Sequence, residues 1–155
     1  MTAAGPLTLA DLRRLCDRYV PLTSRHPGSL DRDDHWWHAH ELGHLLTVDS
    51  RDIGQPLFGL EWSEASATDP RREHELRCRE LAAMSVSRRL LIAAGRADLV
   101  RAEIDSTDGA TLRYADRGRV RRILRKHRCL RLPSTRAELE RKLQWVTAAA
   151  RRGAA

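Results

Sequence analysis

The sequence is poor in aromatic residues, with four Trp, two Tyr and one Phe among 155 positions, and it has only three cysteines. Cys16, Cys78 and Cys129 are odd in number and far apart, with no CxxC pair. That excludes a disulfide framework of the small secreted kind and points to a reducing compartment. No apolar run approaches the roughly 20 residues that a membrane-crossing helix needs. The opening MTAAGPLTLADLRRL lacks a charged lead followed by an apolar core, which argues against a secretory signal. Collagen-like, membrane-spanning, disulfide-knotted and wholly disordered classes are thus excluded. The expectation is a cytoplasmic protein with no membrane partner, long enough at 155 residues for one domain with a short appendage.

Lysine is also scarce. Only Lys126 and Lys142 occur, so 26 of the 28 basic residues are Arg, and the formal net charge is +7. Its distribution is uneven: residues 1–60 are net −2, residues 61–110 net −2, and residues 111–155 net +11. The densest stretch, RGRVRRILRKHRCLR at 117–131, holds eight basic residues and no acid. A block of this kind suits nucleic acid or an acidic partner, and it equally suits a solvated face. The charge shift suggests a main domain over 1–110 and a basic helical extension over 111–155.

The patterning is mainly helical. Thr8 and Asp11 form the ends of a capping box, and Leu12, Leu15, Cys16 and Tyr19 follow at helical spacing before Pro21. After a loop at 21–30, acids at Asp31–Asp34 suit the start of a second helix running through WWHAHELGHLL to about Val48. LFGLEW at 57–62 can make one short strand. A long helix is predicted over 71–94 with Pro70 at its start and Gly95 at its end, then a short one over 97–105. Two more are expected at about 117–130 and 135–152. The fold class is mainly α, α+β at most.

Within the second helix, His40-Glu41-Leu42-Gly43-His44 reads HExxH. Residues four apart on a helix differ by about 40° in bearing and about 6 Å in rise, so both imidazoles point the same way and can grip one metal ion. Glu41, one residue round, can take a proton from a water that the ion activates, as a general base must. Gly43 costs about 1 kcal/mol of helix propensity relative to Ala, and so requires a reason such as the close approach of another backbone. His35 and His38 do not share the face of His44.

A catalytic zinc takes three protein ligands and leaves a position open. The long helix offers Glu73, His74, Glu75, Cys78 and Glu80. Leu76, Glu80, Ala83, Ser87, Leu90 and Leu91 share one face, an apolar stripe broken by one carboxylate, and a buried carboxylate is costly unless paired or metal-bound. Glu80 is therefore the favoured third ligand. Glu75, on a face with Arg79 and Arg89, is the alternative. A salt bridge from Glu80 to Arg77 or Arg79 is the purely structural explanation.

These residues resemble a gluzincin of the ImmA/IrrE type. That family has the segment HELGHLL, matched at 40–46, and a later helix in which a ligand Glu precedes Ala, small residues and paired leucines. Glu80, Ala83, Val86, Ser87, Leu90 and Leu91 follow that order, and the likeness covers about residues 35–92. It implies a zinc-dependent endopeptidase in which His40, His44 and Glu80 hold Zn2+ and Glu41 is the base, often directed at a transcriptional repressor. The chain departs from the family in having only about 30 residues before the active-site helix, and in lacking the proline after the paired leucines. LFGLEW would then have to supply the edge for substrate. Tyr114 and His127 are candidates for stabilising an oxyanion. The competing expectation is a nucleic-acid-binding or regulatory module built on residues 117–131 and the helix after them, with the metal site structural or inactive.

Overall fold

Thr8 stops the chain from fraying at the first helix. Its hydroxyl accepts the Asp11 N–H at 3.1 Å while the Asp11 carboxylate accepts the Thr8 N–H at 3.1 Å, which is the expected capping box. Leu7 on one side of the cap and Leu12 on the other are both buried, as in a hydrophobic staple. In this computed structural model the described residues are 5–20, 35–47, 70–106, 116–133 and 135–153. They form α1 (Leu9–Tyr19), α2 (Trp37–Thr47), α3 (Pro70–Ala93), α4 (Asp98–Asp105), α5 (Arg117–Lys126) and α6 (Arg136–Gly153). Among the described residues the one β feature is an isolated antiparallel bridge between Pro6 and Thr135. The fold is mainly α, as expected.

α2 is the middle of the molecule. Its residues from His38 to Thr47 are all buried, and it packs against α1, α3 and α6. A helix buried all round must satisfy its polar side chains internally, and this one carries three His, a Glu and a Thr. The expected start of this helix at Asp31–Asp34 falls outside the described residues; Trp37 begins the helix after a turn at 35–36. The loop at 21–30, the LFGLEW strand and Tyr114 also lie outside the described residues.

α3 begins at Pro70, whose fixed φ suits a first helical position. Its 24 residues extend about 36 Å. It ends where Gly95 takes φ +71°, with the Arg96 N–H bonded back to the Leu91 carbonyl at 2.8 Å. α5 ends in the same kind of turn, but with Arg128 at φ +55° in the place where glycine is usual. The Cys129 N–H reaches the Leu124 carbonyl at 2.7 Å, so α5 stops at Lys126, short of the predicted 130. Two cations satisfy the turn's carbonyls: Arg89 donates to Cys129 and Leu130 at 2.6 and 2.9 Å, and Lys142 to Arg128 at 2.6 Å.

One buried cluster joins all of α1, α2, α3, α5 and α6. Leu12, Leu42, Leu45, Leu46, Leu90, Leu91, Leu139 and Leu143 are its largest fully enclosed aliphatic side chains. The basic C-terminal helices thus bury Ile123, Leu124, Leu139, Leu143 and Val146 against the same core that encloses α2.

α2 and α3 approach closely at Gly43. A Cβ there would collide with the Ala83 carbonyl oxygen and lie 3.0 Å from the Ala83 carbonyl carbon, both of them backbone atoms of α3. The glycine therefore permits the α2–α3 approach, as its cost in propensity suggested. Gly43→Ala should lower stability by about 1–3 kcal/mol despite its better helix propensity, because overpacking outweighs the propensity gain. Urea denaturation measures this, and an unchanged or raised midpoint would show that the contact is not tight.

Candidate metal centre

The α2–α3 contact places three donors together. His40 Nε2 lies 3.0 Å from His44 Nε2 and 3.0 Å from Glu80 Oε1, and His44 Nε2 lies 3.1 Å from Glu80 Oε2. All three residues offer one ligand atom within 4.8 Å of the others. A tetrahedral ion with bonds of about 2.0–2.1 Å spaces its donors roughly 3.3 Å apart, so the donor set and its spacing both fit zinc or a similar cation. The structural alternative for Glu80 is not what the arrangement holds: Arg77 pairs with Glu73 at 2.8 Å and Arg79 with Glu75 at 3.3 Å.

Glu75, the alternative ligand, is not among the donors brought together with the imidazoles. Arg119 of α5 grips it through Nε and Nη2 at 2.7–3.0 Å. Burial alone would raise its pKa, but hydrogen bonds and charge from Arg119, with Arg79 adding, hold it below the ordinary value.

Two further residues complete the centre, and both were unassigned from the sequence. The Glu103 carboxylate of α4 accepts from His40 Nδ1 at 3.0 Å, and Ser87 of α3 donates to its other oxygen at 2.6 Å. Glu103 is only 2% exposed. Fixing the proton on Nδ1 leaves Nε2 as the electron-pair donor, which is the orientation a metal-binding imidazole requires. A signal for Glu103 did exist. It follows Leu99 and Val100 by helical spacing on an amphipathic helix, the same interruption of an apolar stripe that singled out Glu80.

Aromatic rings close one side. Trp37 stacks on His40 with centroids 5.7 Å apart and planes 19° from parallel, while Trp36 meets the same ring edge-on at 5.7 Å. Glu41 is buried on the same helix, 5% exposed. His35 is exposed, and His38 is buried outside the donor triangle.

The ionisable groups of the centre compensate one another. Burial pulls the His40 pKa down, but hydrogen bonds to Glu103 and Glu80 and their charges prevail and raise it to about 10. Burial pushes Glu80 up, yet the charge of His44 and the hydrogen bonds from both imidazoles hold it well below the carboxylate range. The chain matches no family model, no curated protein and no solved structure.

Two outcomes follow from this geometry. Glu103→Gln should weaken zinc binding by about 10–100-fold, as loss of an orienting partner typically does; chelator competition reads it, and unchanged affinity would remove Glu103 from the centre. A cation must also displace the proton that His40 holds below pH 10. Affinity should therefore fall as pH drops, by about tenfold per unit through the neutral range, with one proton released per ion. Titration calorimetry in buffers of different ionisation enthalpy counts that proton.

Proposed function

We propose that the chain is a zinc-dependent peptidase of the ImmA/IrrE-like type, acting on a protein substrate such as a transcriptional repressor. The observation that carries this reading is the triangle of His40, His44 and Glu80, with Glu41 buried beside His40 on the same helix. A zinc ion held there would polarise a peptide carbonyl and lower the pKa of a water. Glu41 would accept the proton from that water and return it to the leaving amine. Glu103 and Ser87 hold His40 in its ligating tautomer, and Trp36 and Trp37 keep bulk water from its ring. The resemblance to the family, through HELGHLL and the Glu80 helix, supplies the substrate class.

Glu41→Gln should keep the zinc held by His40, His44 and Glu80 and lose hydrolysis of a cleaved partner protein by at least about a hundredfold, the lower end for a general base. Cleavage by this variant at the wild-type rate would sink the peptidase reading.

A second reading concerns the α5–α6 turn, where an open pocket of about 520 Å³ is lined by His127, Arg128, Arg131, Pro133, Lys142 and Trp145, among others. Trp145 is 60% exposed beside these cations. A ring for base stacking next to guanidinium groups is the pairing that single-stranded nucleic acid uses. On this reading, an oligonucleotide binds at 50 mM salt and weakens as salt rises, and Trp145→Ala loses affinity without unfolding. Anisotropy that stays flat at low salt would exclude it.

A further inference from the structure

We propose that His74, Cys78 and Asp116 form a second metal site, separate from the HExxH centre and selective for a thiophilic divalent cation such as zinc. His74 and Cys78 stand four residues apart on α3, the spacing that also brings His40 and His44 to one side of α2. Asp116 comes from the start of α5. Its Oδ1 accepts the Arg119 N–H at 2.9 Å as the helix cap, while its Oδ2 turns to His74 Nε2 at 3.1 Å. Cys78 Sγ approaches the same imidazole nitrogen at 3.7 Å, and the three ligand atoms lie within 4.8 Å of one another.

A tetrahedral ion bonded to N, O and S at about 2.0–2.3 Å spaces its donors roughly 3.3–3.6 Å apart. The His74–Asp116 and His74–Cys78 spacings are within a few tenths of an ångström of that range. An ion pair with a core cysteine nearby would explain His74 and Asp116, but it does not require the sulfur to face the imidazole. The donor set also selects. Sulfur and imidazole favour zinc, cobalt or copper over magnesium and calcium. Charge is consistent with this, since a thiolate and a carboxylate balance a divalent ion, and the nearby Arg119 guanidinium is already matched by Glu75.

Access comes from the rim. Cys78 is fully buried at the floor, whereas the His74 and Asp116 side chains are 37% and 36% exposed, which leaves the outer side for a water ligand. Binding forms bonds from the ion to Nε2, Oδ2 and Sγ and releases the thiol proton to solvent; nothing is oxidised or reduced. The ion would clamp α5, with its arginines, to the helix that carries Glu80. The site does not depend on the peptidase reading, because it shares no ligand with the other centre.

Cobalt(II) titration of the whole chain tests it. The expected result is two ions per chain and a near-ultraviolet thiolate-to-cobalt charge-transfer band, which the His40–His44–Glu80 centre cannot produce. Cys78→Ser should abolish the band and leave one ion bound. Asp116→Asn, which keeps a capping side chain and so preserves the fold, should weaken the site by about tenfold or more with the other centre unchanged. His44→Ala should remove the other ion and retain the band. A wild-type chain without the band at two equivalents, or a band that survives Cys78→Ser, overturns the proposal.

Discussion

The missing side chain at Gly43 governs how near α2 comes to α3, and the candidate centre depends on that distance. Packed helices ordinarily keep their axes about 8–10 Å apart, a separation set by the side chains between them. Gly43 directly precedes His44, and Ala83 lies one turn beyond Glu80, so the point of closest approach is within a turn of each ligand-bearing residue. Two residues with almost no side chain let the backbones meet. A methyl group at the contact would push the helices apart and open the 3.0–3.1 Å gaps between the imidazoles and the carboxylate. Helix propensity argues against glycine at that point by about 1 kcal/mol. The fold accepts that loss because the alternative is steric overlap with a peptide carbonyl.

Such closeness has an electrostatic consequence. His40, His44, Glu80 and Glu103 enclose ionisable groups in a region also occupied by Leu42, Leu45 and Leu90, where an unpaired charge is expensive. Each group is matched by another of them, and Ser87 takes the last oxygen of Glu103. His40 therefore holds its proton up to about pH 10. The same arrangement that makes these buried charges tolerable gathers donor atoms that could hold an ion.

Much of this was legible from local pattern. The Thr8–Asp11 cap, Pro70 at the head of α3, Gly95 at its end, and the carboxylate in the apolar stripe at Glu80 are all short-range signals, because each depends on neighbours within a few turns. Glu103 and Ser87 depend on a different kind of information. Glu103 meets His40 across 63 residues of chain, and its own helix shows only that a carboxylate lies on a partly apolar face. The end of α5, at Lys126 instead of about residue 130, has a related cause. Arg128 is an unusual occupant of the left-handed conformation, and its turn is held by Arg89 and Lys142 from two other helices.

That turn also alters the meaning of the positive charge. Eight basic residues without an acid over 117–131 look like a uniform surface when read along the chain. In three dimensions the cations divide by task. Arg119 reaches inward to Glu75, and Arg89 and Lys142, from outside the segment, hold its carbonyls. Arg117, Arg121, Arg122 and Arg125 remain exposed on α5, with Arg128 and Arg131 beyond them. Because Ile123 and Leu124 anchor the opposite side of α5 in the common core, this outward row has a fixed orientation relative to the candidate centre. A charge row on a tethered tail could only raise the local concentration of an anionic partner; one mounted on the core can also orient it.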